Sequence, residues 1–289
     1  MYVLEIPYMD LDQIYNSGQV FRWMRLNDHK YVIPFRDKAL KVEQQKQRFM
    51  FDCSEETFFE TWWNYFDIQT DYSILNNAIK RCDEEIKIAA NRAKGIHILK
   101  QDLFEIIIAC SLETATSVQR ASEMLQGIAR KTGFKHKQAM REAGQVCWYE
   151  FPTPERLLKK QDYLTTQETG YKHDIIIGLC EAIVDGWLDL DLLQSMSYEE
   201  AKDYLMEFDG IGPKVADSIC LYGLHHMQAF PIDTHLNQLF DRNDLTYEEY
   251  YEWFIEDNQM ADNNKGLLRQ YLWYNEVFPP RRMEEWMKQ

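Results

Sequence analysis

Gly210-Ile211-Gly212-Pro213-Lys214 constrains this chain more than any other stretch, because it makes two helices meet at a tight hairpin. Upstream, Ser197-x-x-Glu200 is a capping-box pattern. Tyr198, Ala201, Leu205 and Phe208 recur at helical spacing, which predicts a helix over about 198–208. Glycine tolerates positive φ and lets backbone approach a ligand closely, so Gly210 and Gly212 end that helix. Pro213 suits the first position of the next, where its missing N–H costs nothing. The second helix begins with unpaired N–H groups at the positive end of its dipole, a setting for phosphate. Along it Lys214, Ser218 and Leu221 share one face, and Val215, Ile219 and Tyr222 another. A lysine in the first turn opposes the dipole, a local conflict of the kind functional sites carry. Further on, Phe230-Pro231-Ile232-Asp233-Thr234-His235-Leu236 puts Asp233 directly before another apparent helix, where aspartate is a common N-cap.

The pairing of Gly-Ile-Gly-Pro-Lys with Pro-Ile-Asp-Thr-His resembles the lysine-bearing helix-hairpin-helix DNA glycosylases, in their 8-oxoguanine DNA glycosylase/lyase branch of bacterial type. Ser17-Gly18-Gln19-Val20-Phe21-Arg22-Trp23, Gly95-Ile-His-Ile-Leu-Lys-Gln-Asp102 and Gly170-Tyr171-Lys172 are similar to that branch too. The likeness spans nearly the whole chain, and four such stretches in order are far more specific than any one.

The resemblance implies a base-excision enzyme that flips a damaged base, 8-oxoguanine foremost, out of duplex DNA. Lys214 would attack C1′, expel the base and leave a Schiff base; β-elimination then follows. The attack needs a neutral amine, which partial burial and the positive helix end both favour. Asp233 would answer the positive charge developing on the sugar, alongside its capping role. The resemblance also implies that His235 contacts a DNA phosphate, with Gly210 and Gly212 at the backbone. Carbonyls of Met206, Phe208 and Ile211 would bind a monovalent cation. No other cofactor is implied. Tyr171 would wedge into the duplex with Lys172 as its basic partner, although a tyrosine after glycine is otherwise simple packing. Gly18 would present a carbonyl to the oxidised base, or else form a turn. Ser218, Arg269, Gln270 and Trp273 complete the implied base pocket.

The chain departs from the branch in several places. An asparagine-rich turn that reads the opposite cytosine is replaced by Ser111-Leu112-Glu113-Thr114-Ala115-Thr116-Ser117, and Val118 stands near an expected arginine. Glu113 removes a donor and adds negative charge, which weakens that reading. Aligned on Gly266, the base-reading glutamine falls at Arg269, which cannot accept a hydrogen bond, and the stacking phenylalanine at Trp273. If Gln270 turns inward, the reading is partly restored. Two other functions stay open: the same lyase chemistry on a different damaged base, and a non-catalytic hairpin module that binds DNA.

A net charge of −15 opposes nucleic-acid binding on average, yet from Lys87 to Arg141 ten Lys/Arg stand against four Asp/Glu. That stretch is either a basic face for DNA or a set of ordinary solvated helix faces. None of the six cysteines forms a Cys-x-x-Cys pair and none follows Cys220, so a C-terminal iron–sulfur cluster is not expected. The N-terminus shows no secretory pattern, so a cytoplasmic location is expected; a monomer with no membrane partner is expected as well.

Alternation in Tyr31–Phe35, Leu40–Val42 and Arg48–Phe51 predicts antiparallel strands, and Ser54-Glu55-Glu56 opens a helix whose Trp62, Trp63 and Phe66 pack on them. From about residue 72 the pattern is helical almost throughout. The expected fold is therefore α+β: a small N-terminal antiparallel sheet domain (1–85), then a helical body containing the helix-hairpin-helix, divided at 86–195 and 196–289.

Overall fold

The computed structural model describes residues 1–79, 84–114, 116–141, 143–243, 246 and 264–278. The N-terminal sheet has five antiparallel strands in the order β1-β5-β4-β3-β2: β1 Tyr2–Glu5, β2 Met24–Asn27, β3 Lys30–Phe35, β4 Lys38–Gln45 and β5 Arg48–Phe51. The β3–β4 register pairs Tyr31 with Val42 and Ile33 with Leu40. Tyr31, Ile33, Leu40 and Val42 are thus turned to one core, with Phe51, Phe58, Trp62 and Phe66. Phe58, Trp62 and Phe66 come from the helical segment that Ser54 caps, its oxygen accepting from Thr57 N–H at 3.1 Å. The helix includes a π-helical turn at Phe58–Trp62.

The other face of the sheet corrects the expectation of helix throughout the rest of the chain. β6 (Lys135–Met140) and β7 (Gly144–Tyr149) form an antiparallel hairpin. Met140 and Trp148 from it pack on Val32 and Ala39, the outward positions of β3 and β4. Both faces of the sheet centre are therefore covered, which is why Tyr31, Val32 and Ile33 are all buried.

The larger core fills the helical body and takes residues from Phe21 to Tyr274, so it runs continuously across 195–196. At its centre lies the Leu103–Glu113 helix, where every residue from Leu103 to Leu112 except Glu105 is buried. Arg22 joins the units: its guanidinium grips both oxygens of Glu105 at 2.7 Å and the Tyr149 carbonyl at 2.8 Å. Gln19 does the same for the loop before that helix, donating to the His97 carbonyl and accepting from Leu99 N–H, both at 2.9 Å. Asp67 is sealed between units, with Lys100 at 2.9 Å, His225 at 3.2 Å and the Tyr72 hydroxyl at 3.0 Å. Among the described residues no helix is long and apolar enough to cross a membrane.

Candidate active site

The hairpin forms as its residues require. The Tyr198–Met206 helix carries the full Ser197/Glu200 capping box, and the Pro213–Tyr222 helix follows with Pro213 in its first turn. Gly210 has φ +86°, and a Cβ there would lie 2.4 Å from Ile175 Cγ2, so glycine is needed for conformation and space alike. The turn closes through Ile211 N–H on the Phe208 carbonyl at 3.1 Å. Asp217 ties the two helices together, accepting from the Tyr198 hydroxyl at 2.7 Å and pairing with Lys202 at 2.9 Å.

Lys214 leaves the start of the second helix toward the end of the Leu103–Glu113 helix. Its Nζ lies 3.1 Å from Glu113 Oε2, and the two side chains are 29% and 19% exposed. The amine that burial and the helix end would favour as neutral thus has a carboxylate as its neighbour. Ser218, one turn on, donates to the Lys214 carbonyl at 2.9 Å and stiffens that turn. Lys172 is buried and donates to the Ser111 carbonyl. It therefore points inward, with its ammonium still 5.6 Å from the ring centroid of the exposed Tyr171. Burial lowers the Lys172 pKa, Lys214 adds to this and Glu113 opposes it, so all three charges share one locality. Of the turn that departs from the branch, Ala115 lies outside the described residues.

Asp233 caps the Thr234–Arg242 helix, its Oδ1 accepting from His235 N–H at 3.0 Å and Leu236 N–H at 3.1 Å. Its Oδ2 accepts from Arg269 Nη2 at 2.8 Å, a pair in which the side chains are 11% and 6% exposed. Arg269 spends its remaining reach on the protein too: Nε donates to the Pro231 carbonyl, and Nη1 to the Tyr222 hydroxyl at 3.0 Å and to Gln270 Oε1 at 2.6 Å. Gln270, fully buried, also accepts from the Tyr222 hydroxyl at 2.7 Å and donates to the Ser17 carbonyl at 2.8 Å. The inward turn imagined for Gln270 does occur, but it joins a network that leads back to the Ser17-Gly18 loop.

Gly18 has φ +81°, and a Cβ there would lie 2.9 Å from Trp273 Cη2. The indole thus rests on the Gly18 backbone, with Arg269 over its ring at 5.7 Å and the His235 ring edge-on at 6.2 Å. Between the two ion pairs lie Cys110, which belongs to no sequence motif, and Tyr222, which helical spacing assigned only to a face shared with Val215 and Ile219. Burial, then Glu113, push the Cys110 thiol up, while Lys214 and Arg269 draw it down. Burial also pushes the Tyr222 phenol up, against Arg269, with Glu113 and Asp233 in range. Glu113, Lys214, Arg269 and Asp233 thus all lie within electrostatic range of this buried, protonated pair.

The residues of the basic stretch spread over several elements, and three of them are paired with acids. Lys100 pairs with Asp67, Arg120 with Glu123 at 3.2 Å and Lys131 with Glu168 at 2.9 Å.

A lysine aimed by a helix-hairpin-helix, with a capping aspartate on the next helix, defines the class of helix-hairpin-helix DNA glycosylases. Residues 3–107 match a family model described as the 8-oxoguanine DNA glycosylase N-terminal domain. The chain is 24% identical over 264 residues to the N-glycosylase/DNA lyase of Saccharomyces cerevisiae, covering 81% of this chain and 68% of the relative. It is 26% identical over 259 residues to the probable N-glycosylase/DNA lyase of Methanothermobacter thermautotrophicus, covering 80% and 75%. Clostridium acetobutylicum 8-oxoguanine glycosylase/lyase, in complex with double-stranded DNA containing cytosine opposite to 8-oxoG, superposes with a TM-score of 0.84 at 25% identity, covering 96% of this chain and 98% of that one. In sequence and in fold the chain is thus similar to the 8-oxoguanine glycosylase type of that class.

Proposed function

We propose that this protein is a bifunctional DNA glycosylase/AP lyase that excises 8-oxoguanine from duplex DNA. The carrying observation is the placement of Lys214: a part-exposed amine at a helix start, beside a buried layer that also touches Asp233 through Arg269 and Tyr222. An amine so placed is a nucleophile for C1′ of a flipped nucleotide. It forms the N–C1′ bond as the C1′–base bond breaks. Opening of the sugar ring then passes an N–H proton to O4′ and leaves the iminium. The iminium acidifies the C2′ hydrogen, whose loss expels the 3′ phosphate. The cap and Arg269 hold Asp233 by both oxygens, so its charge is preorganised for the cation that develops on the sugar.

Duplex DNA meets the backbone N–H groups of Gly210 and Gly212 at the hairpin and the exposed His235. Tyr171, 77% exposed, is the wedge candidate. The carbonyls of Met206, Phe208 and Ile211 are suited to a monovalent cation in donor type. That of Phe208 already accepts one hydrogen bond, which leaves it a second lone pair. The protein acts as a monomer in the cytoplasm.

The engaged state of Arg269 and Gln270 favours a second reading, in which the pocket accepts further damaged bases. With most of their hydrogen-bonding groups committed within the protein, base choice would rest on the Gly18 carbonyl and the Trp273 face.

Borohydride trapping on duplexes carrying 8-oxoguanine, other oxidised purines or an abasic site tests both readings, with Lys214→Gln as control. Adducts on the 8-oxoguanine duplex that vanish in Lys214→Gln support the enzyme. Trapping on the abasic duplex alone moves the substrate to another base, and absence of any adduct leaves a DNA-binding module.

A further inference from the structure

We propose that Glu113 is a catalytic residue, the base that takes a proton from Lys214 so that the amine can attack. The inference rests on Lys214 being the nucleophile. Its ground is the geometry of every titratable group around that amine. Glu113 Oε2 is already at hydrogen-bond distance from Nζ, 3.1 Å, and stays 19% exposed, so it can exchange its proton. Asp233, the other carboxylate of the site, is engaged: Oδ1 takes two backbone N–H groups and Oδ2 takes the Arg269 guanidinium. Both of its oxygens are therefore already occupied by donors of the protein itself. Cys110 and Tyr222 are buried and held in their protonated forms, so neither is available as a base. Lys172 faces the same anion from the Gly170–Lys172 turn, but its ammonium is a donor occupied with the Ser111 carbonyl.

The protons balance without an outside reagent. The Lys214 ammonium passes one proton to the Glu113 carboxylate, giving an amine and a carboxylic acid. The amine lone pair forms the bond to C1′, and the pair of the broken C1′–base bond leaves with the base. The base anion takes up the proton from Glu113, which returns to its carboxylate. Two tasks, activating a nucleophile and protonating a leaving group, thus fall to one residue. Its position at the C-terminus of a buried helix fixes the carboxylate over Lys214.

The test uses the full chain and Glu113→Gln, which keeps the side-chain shape and removes its basicity. Single-turnover excision from an 8-oxoguanine duplex and borohydride trapping are followed from about pH 6 to about pH 9, where bulk solvent increasingly supplies neutral lysine. The expected result is a loss of about 10²-fold at neutral pH, a typical worth for one acid–base group, that shrinks as pH rises. Glu113→Asp, which keeps a carboxylate, should recover part of the rate. A Glu113→Gln protein with the wild-type rate and pH profile, or with a deficit of constant size at every pH, overturns the proposal. An adduct that survives in Lys214→Gln removes the nucleophile itself and so refutes the reading beneath it, a distinguishable failure.

Discussion

Asp67 and Asp233 are both carboxylates in ion pairs, yet the chain uses them oppositely. Asp67 is fully buried where the sheet domain meets the helical body, gripped by Lys100, His225 and Tyr72. Burial alone would raise its pKa. The hydrogen bond and charge of His225, with Thr70 and Lys100, more than offset this and bring it from 3.8 to about 2. Asp233 stands at a helix start on the edge of the cleft, with one oxygen in a cap and the other on Arg269. The difference is exposure: the Asp67 side chain is wholly enclosed, whereas that of Asp233 keeps 11% of its surface open. A carboxylate enclosed by its partners holds a fold together; one left partly open can present its charge to a substrate.

The sharpest way to break this contrast is Asp67→Ala, which leaves Lys100 and His225 without their anion. It should cost about 3–5 kcal/mol in denaturant unfolding, the usual penalty for breaking a buried pair. Excision per folded molecule should not change. The pH dependence follows from the sign of the shift. The folded value is depressed, so the stabilisation is complete above the unfolded value of 3.8 and lost as pH falls toward about 2. Acid unfolding of Asp67→Ala should lack that component; a wild-type acid transition would show that Asp67 is not the group responsible.

Next comes Asp233→Asn. Asparagine caps a helix as well as aspartate, so the helix should hold, while excision should fall by about 10²–10³-fold, as when one preorganised electrostatic group is lost. If this variant instead unfolds as readily as Asp67→Ala and keeps its rate, the two carboxylates do the same job.

The smallest effect is expected at Gly18→Ala. The left-handed backbone there and a Cβ only 2.9 Å from the Trp273 ring should together cost about 1–2 kcal/mol. The indole should move, which weakens binding of a lesion duplex more than it lowers the melting temperature. An unchanged affinity would remove the Gly18–Trp273 contact from base recognition.

Local rules made much of this legible before any tertiary structure. The Ser197/Glu200 capping box, the hairpin glycines, Pro213 and the Asp233 cap are encoded within a few residues and appear as read. The β6–β7 hairpin was not legible, because only Met140 and Trp148 of its strands are buried, and what specifies them is the far face of the N-terminal sheet. The partners inside the site were hidden for the same reason. Glu113 meets Lys214, and Arg269 meets Asp233, across separations over which no periodicity or cap operates.

The sequence by itself determined which residue types could carry the chemistry and which helices would aim them, since backbone propensity and capping act locally. Only the tertiary structure decided that Lys172 turns inward, that Arg269 serves the aspartate, and that Lys214 faces a carboxylate. Those outcomes depend on packing distant segments into a space with few polar partners, where each buried charge must find its counterpart among whatever the fold brings near.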